Sequence, residues 1–237
     1  MKVSNPFLPP DAAAIAVPLT ECRACPRLVA WRERQAGVVP PRFAPWVDEH
    51  GFWGKPVPAF GDCDAWLAVV GLAPAAQGAN RTGRMFTGDH SGEFLWAALH
   101  RAGLANRPRS DHRGDGLALD GVLITAPLRC APPANRPTGG ELGRCRAYLR
   151  ADLAACRRLR VVLALGRVAH AAVLRLLREQ GSAPAPMPAF RHAAVHELSG
   201  GVRLVDSYHV SQQNTFTGRL TPAMFDDIVR ACRLARR

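Results

Sequence analysis

Four short apolar runs punctuate the chain, and each is closed by a turn or polar residue. Trp66–Val70 stops at Gly71, Gly121–Ala126 at Pro127 and Arg160–Leu165 at Gly166, while Val202–Val205 runs into Asp206-Ser207-Tyr208-His209. Apolar character that is continuous rather than alternating predicts strands buried on both faces, as in a parallel sheet. Helical spacing of apolar residues covers Ser91–Ala102, Gly140–Arg157, Arg167–Glu179 and Pro222–Arg236. Alternation of this kind predicts an α/β sandwich of about four parallel strands with right-handed crossovers and no second core. Residues 1–20 read as an irregular lead-in, and 21–36 as a Cys-x-x-Cys turn entering a short helix. The stretch Val38–Asp64, rich in Pro, Gly and aromatics, reads as an ordered surface loop.

In an open parallel sheet the ligand site lies beyond the carboxyl ends of the strands. The loops after Val70, Ala126, Leu165 and Val205 are therefore where chemistry is expected. The first, Gly71 to Gly92, carries glycines at 71, 78, 83, 88 and 92 together with Asn80, Thr82, Thr87 and Asp89. It matches neither a phosphate-binding P-loop nor a dinucleotide fingerprint. Phe86 stands in it among small and polar residues, where it either packs into the core or stacks on a base. The last loop presents His209 directly after a strand, followed by Ser211-Gln212-Gln213-Asn214-Thr215. His209 reads either as a hydrogen-bonded structural histidine or as a group facing a cleft.

Composition adds a charge question. The chain has 31 Lys+Arg against 19 Asp+Glu, a net charge of +12 and a pI near 10.6. This points to a polyanion such as nucleic acid. All the basic residues except Lys2 and Lys55 are arginines, however, in a chain rich in Ala, Pro and Gly. Part of the excess therefore reflects composition rather than binding. No run reaches the roughly 18–20 apolar residues of a membrane helix, and the N-terminus makes a poor signal peptide. A cytoplasmic protein with no membrane partner is expected. Seven cysteines, an odd number, argue against a disulfide framework. Cys22 and Cys25 form a ligand pair by spacing, and Cys130 and Cys145 flank a Pro-rich loop. Four thiolates suit zinc and a [4Fe–4S] cluster equally. Cys63, Cys156 and Cys232 fit buried or strand-adjacent thiols better.

Taken in order, several motifs resemble family 5, the B-type enzymes, of the uracil-DNA glycosylase superfamily. They are Cys22-x-x-Cys25, the Phe52–Pro58 stretch, Gly71-Leu72-Ala73-Pro74-Ala75, and Asn80 to Asp89 around Phe86. Arg129–Pro137 and His209–Thr215 complete the set. The resemblance implies a three-layer α/β sandwich, with a central four-stranded parallel sheet flanked by helices. It implies one domain over 1–237, with the segment 1–64 packed on it through a [4Fe–4S] cluster on Cys22, Cys25, Cys130 and Cys145; zinc stays open from the ligands alone.

It also implies hydrolysis of the N-glycosidic bond of a flipped, deaminated base in double- or single-stranded DNA, by a monomer associated with the nucleoid. Phe86 matches the residue that stacks on the base. His209 matches the donor to uracil O2, and backbone amides across Gly71, Leu72, Ala73 and Ala75 would complete the anion pocket. Leu72 stands where other members place a water-positioning polar residue, so Asn80 and Asp89 become the candidates for that task. Ala126 stands where family 4 has a uracil-reading Asn, which suggests that hypoxanthine is accepted too. Gln212, Gln213, Asn214 and Thr215 fall in a loop expected to enter the duplex. Arg81, Arg84, Arg136 and Arg219 are the expected phosphate contacts. A metal-bearing nucleic-acid-binding protein without catalysis is the alternative, and a hydrolase of free nucleosides a third reading.

Overall fold

The computed structural model describes residues 5–7, 18–62 and 64–236. Cys63 and most of the lead-in lie outside the described residues. All four apolar runs become strands: β2 (Leu67–Val70), β3 (Val122–Thr125), β4 (Val161–Leu165) and β6 (Arg203–Ser207). They pair in parallel in the order β3-β2-β4-β6. Two short strands extend the sheet at its edges, both antiparallel. β1 (Phe60–Gly61) pairs with β3 and β5 (Val195–Glu197) with β6. The sheet is thus mixed and six-stranded around the expected parallel four. The edge strands have two and three residues, too short for any periodicity to show.

Side chains alternate between the two faces of the sheet, as the pleat requires. On β2, Leu67 and Val69 join the core under α4 (His90–Arg101) and α8 (Pro222–Ala235), whose Leu95, Trp96, Phe225 and Ile228 fill that layer. Ala68 and Val70 face the opposite core. There α5 (Gly139–Ala155) and α6 (Arg167–Glu179) contribute Leu149, Leu153, Val173 and Leu177. This makes three layers, and every residue of β2, β3 and β4 is buried, which is why these strands read as unbroken apolar runs.

Before the sheet come α1 (Pro26–Arg34) and α2 (Ala44–His50). The second lies inside the stretch read as a loop; Pro45 at its first turn is tolerated because that position needs no amide bond. Two four-residue helices follow strands: α3 (Ala79–Thr82) after β2 and α7 (Gln212–Thr215) after β6. Caps fix the helix starts. Asp89 accepts from the Gly92 amide at 2.9 Å, and Thr138 and Glu141 form a reciprocal capping box on α5. Chain order reverses between β2 and β4, and a crevice opens beyond their carboxyl ends at that switch point.

Candidate active site

The crevice is a cavity of about 1080 Å³, and it gathers residues from all four loops. Phe86 forms its floor. The Phe86 backbone has φ +54°, a left-handed conformation that costs a non-glycine residue on the order of 1–3 kcal/mol. Three contacts hold it there. The Trp96 indole N–H donates to the Phe86 carbonyl at 2.5 Å. A β-carbon on Gly92 would lie 1.9 Å from that same carbonyl oxygen, and one on Gly71 would lie 2.9 Å from Phe86 Cζ. The two glycines are thus the space that Phe86 occupies. Its ring faces His209, with centroids 6.3 Å apart and planes tilted by 32°.

His209 follows β6 and lines the cavity. Burial alone pushes its imidazole pKa down to about 4, so it is neutral at physiological pH. Its carbonyl accepts from Asn214 Nδ2 at 2.8 Å, which ties α7 back to the strand end. Across the crevice, Asp89 directs Oδ1 to the Gly92 amide, while Oδ2 lies over Gly78, where a β-carbon would sit 2.2 Å away. Burial raises the Asp89 pKa above the usual carboxylate range, against the opposing amide hydrogen bonds. Leu72, Ala73 and Ala75 line the cavity above β2. Among the described residues the Leu72 and Ala73 amides have no acceptor, so they remain available to an anion. The Gly71 amide is not available: it donates to the Thr125 carbonyl at 2.8 Å. Gly71 serves the site by lacking a side chain.

Three further sequence expectations meet a different placement. Asn80 is fully buried beneath the crevice, where its Nδ2 donates to the Arg32 carbonyl at 3.1 Å; it docks α1 and does not reach the cavity. Arg81 is 2 % exposed. It donates to the carbonyls of Gln77 and Gly88, and Phe43 and Trp46 each stack on it at 4.3 Å. Arg84 is 4 % exposed and pairs with Asp115 at 2.5 Å, with Ser110 and Thr87 as further partners. Both guanidinium charges are therefore used inside the protein, and neither is presented to a phosphate.

Arg136 and Arg219 are exposed as expected; Arg136 lines the crevice and Arg219 stacks on Tyr208 at 4.4 Å. Gln212, Gln213 and Asn214 line the rim, and Thr215 meets His90 Nε2 at 3.2 Å. Reading from sequence overlooked Arg42 and Arg167, exposed arginines at the same rim. It also overlooked Phe216. This ring is 70 % exposed at the end of α7, held against His90 at a centroid distance of 4.6 Å. The signal for Phe216 was in the sequence, as one aromatic amid the polar run from Ser211 to Arg219.

A second cluster lies behind the first loop. Cys22, Cys25, Cys130 and Cys145 line one small pocket with Arg32, Arg144 and Tyr148, and none is in a disulfide. Burial pushes the Cys145 thiol up to about 12 and the Cys130 thiol above its ordinary value. Yet Arg32, 2 % exposed, aims Nη1 at Cys130 Sγ from 2.9 Å, and Arg144 aims Nε at Cys25 Sγ from 3.3 Å. The nearest carboxylate to Arg32 is that of Glu33, at 4.0 Å. A buried guanidinium directed at sulfur calls for a thiolate, while burial favours the neutral thiol. A bound metal centre removes that conflict, so these residues fit one.

The profile of the Uracil DNA glycosylase superfamily matches residues 58–233. Three proteins named type-5 uracil-DNA glycosylase are similar over most of their length. That of Mycobacterium bovis is 52 % identical over 213 residues, 90 % of this chain and 77 % of its own. The Thermus thermophilus protein is 49 % identical over 226 residues, 95 % of this chain and 99 % of its own. For Pyrobaculum aerophilum the figures are 46 % over 214 residues, 90 % and 88 %. A crevice at the switch point, a neutral imidazole facing a strained aromatic, and matches of this extent lead to one conclusion: the chain belongs to the uracil-DNA glycosylase superfamily, with the type-5 enzymes as its relatives.

Proposed function

We propose that this protein is a uracil-DNA glycosylase of base-excision repair, acting in the Phe86–His209 crevice. The observation that carries the reading is the Phe86 ring, held in a left-handed conformation over Gly71 and facing a neutral His209. Drawing a base out of the duplex costs a few kcal/mol and less at a G·U mismatch. The flipped uracil stacks on Phe86. As the N-glycosidic bond lengthens, negative charge grows on uracil O2, where His209 and the Leu72 and Ala73 amides donate. Asp89 takes the water's proton as its oxygen adds to the sugar carbon; its raised pKa brings it nearer to that task. Asn80 is left out of the chemistry.

Cys22, Cys25, Cys130 and Cys145 would hold the [4Fe–4S] cluster, with Arg32 and Arg144 donating to their sulfurs. The cluster supplies cross-links between chain segments. Here it would join the segment before α1 to the loop after β3 and to α5, making one folded domain of 1–237. Double- and single-stranded DNA with deaminated bases is the proposed partner, the acting unit is a monomer, and the compartment is the nucleoid-containing cytoplasm.

Incubation with labelled G·U and G·I duplexes, followed by alkali, tests the reading. Strand breaks at uracil and at hypoxanthine are expected. Retained binding with an intact strand would favour a non-catalytic DNA-binding protein, and activity confined to free nucleosides a nucleoside hydrolase. Breaks at uracil alone would leave the glycosylase and remove the broad specificity.

Further outcomes separate the roles. Asp89→Ala lowers single-turnover excision about 10²-fold or more, whereas Asn80→Ala lowers the melting temperature with a far smaller effect on rate. Equal rate losses in both would return Asn80 to the chemistry. Arg136→Ala and Arg219→Ala each reduce the slope of log Kd against log salt by about 0.9, but Arg81→Ala and Arg84→Ala destabilise the fold instead. Phe216→Ala, at the tip of the α7 loop, weakens excision from duplex more than from single-stranded DNA; equal loss on both would mean that the loop never enters the helix.

A further inference from the structure

Three residues before His209, β6 carries a fully buried carboxylate, Asp206. Its Oδ1 lies 2.8 Å from His170 Nδ1. Its Oδ2 lies 3.0 Å from His196 Nε2 and accepts the Arg191 amide at 3.2 Å. The other ring nitrogen of His170 faces the Pro188 carbonyl at 3.0 Å. A carbonyl can only accept, and so can an ionised carboxylate. The Pro188 carbonyl requires a proton on Nε2, and a carboxylate at Asp206 requires one on Nδ1, so with that carboxylate the ring is an imidazolium matched by one buried negative charge.

The pair sits directly behind the crevice wall. His170 lies one turn into α6, and its amide donates to the Gly166 carbonyl at 3.1 Å. The Gly166 amide donates in turn to the Ser207 carbonyl at 2.8 Å. A β-carbon on Gly166 would lie 3.6 Å from His209 Cβ. So β6 and α6 are joined at the wall by a backbone bond, and again one layer deeper by the ion pair. We propose that His170, Asp206 and His196 form a charged brace that positions His209: it fixes the end of β6 against α6 and β5, and so sets where the catalytic imidazole stands relative to Phe86. These are positioning residues, since none of them lines the crevice. The three groups are close enough to admit a divalent cation, but proton-bearing partners already satisfy both Asp206 oxygens without one.

The other titratable and charged neighbours are few. His192 accepts the Tyr208 amide at 3.1 Å and stacks on Tyr208, with Arg219 also over that ring; Phe190 meets His170 edge-on at 5.8 Å. Burial lowers the His170 pKa, but the Asp206 hydrogen bond and charge, with the Pro188 carbonyl, outweigh it and raise the value above 6.5. Burial lowers that of His192. For a raised histidine the stabilisation is complete below the unfolded pKa and fades as pH rises through the folded one. The brace therefore loosens on the alkaline side.

The inference rests on His209 being the catalytic group, so the test has an arm that needs no activity. Histidine ¹⁵N NMR of the full chain without DNA should show His170 doubly protonated at pH 7, titrating above 6.5, beside a neutral His209. In Asp206→Asn the His170 titration should drop below 6.5. The single-turnover rate on a G·U duplex should fall about tenfold at pH 7, with duplex affinity unchanged, because misplacement rather than lost binding is the cause. A neutral His170 in the wild-type chain overturns the brace, as does an Asp206→Asn enzyme of full rate. Stoichiometric zinc bound by the wild type and lost in the variant overturns it as well. A wild-type chain inactive on G·U with His170 still doubly protonated would instead discard the glycosylase reading.

Discussion

Replacing His209 with alanine lowers single-turnover uracil excision by about 10²–10³-fold, the usual effect of removing one donor to a developing oxyanion. Duplex affinity changes little, because the imidazole lies inside the crevice and the exposed arginines at the rim, Arg42, Arg136 and Arg167, are untouched. The pH dependence carries a sign. Burial holds the His209 pKa near 4, so the ring donates as a neutral imidazole. Its protonation therefore causes no loss of rate as pH falls through 6.5. The acid limb comes instead from Asp89, which burial makes take up its proton above the ordinary carboxylate range, and from His209 becoming charged near 4. The same depression lets the unfolded chain bind a proton that the folded chain refuses. Stability consequently falls between about pH 6.5 and 4. Rapid-quench rates from pH 4 to 8 check this. A steep fall centred on 6.5 that is absent from His209→Ala would mean that His209 titrates as an ordinary exposed histidine.

Gly92→Ala is the second large effect, and its sign runs against helix propensity. Gly92 lies in the first turn of α4, where alanine should favour the helix by up to about 1 kcal/mol. The structure gives the opposite answer. A β-carbon there would stand 1.9 Å from the Phe86 carbonyl oxygen and 2.6 Å from its carbon, both backbone atoms that cannot swing away. Relief requires Phe86 to leave its left-handed turn, and with it the Trp96 hydrogen bond. The expected cost is about 3 kcal/mol, or roughly 6–12 °C in melting midpoint for a domain of this size. Excision should fall further than folding does, since in the proposed mechanism the Phe86 ring is the floor on which the base rests. Calorimetry and single-turnover rates at a temperature where the variant stays folded separate the two losses. A variant as stable and active as the wild type would show that the Phe86 turn is not held by this contact.

The sheet was legible because burial on both faces leaves a plain mark: β2, β3, β4 and β6 coincide with the four apolar runs to within two residues at every end. The helices that cover it were legible from spacing, and Arg167–Glu179 agrees at both ends. β1, β5 and α2 were not, since two, three and seven residues are too few to show a period beside Pro and Gly. At the site, loop position after a strand put Phe86, Asp89 and His209 beside the crevice, where the structure has them, but it left Phe86 and His209 between packing and chemistry, and only the family resemblance pointed to roles. Loop position failed for Asn80, Arg81 and Arg84, which share the same loop but turn inward. Sequence shows that a residue carries a charge, but not whether Asp115 or a Phe43–Trp46 pair will take it up. The +12 charge overstates the surface in the same way: Arg32, Arg81, Arg84 and Arg129 are all buried. Fewer arginines than the count implies remain to meet DNA.

The central claim is that a flipped uracil rests on Phe86 with its O2 against His209. A crystal structure of the chain with an abasic duplex and free uracil tests it most directly. The account predicts uracil stacked on the Phe86 ring, O2 within hydrogen-bond distance of the His209 imidazole and of the Leu72 or Ala73 amide, and Asp89 facing the sugar. Uracil bound elsewhere, or in the crevice with His209 turned away from O2, would contradict it.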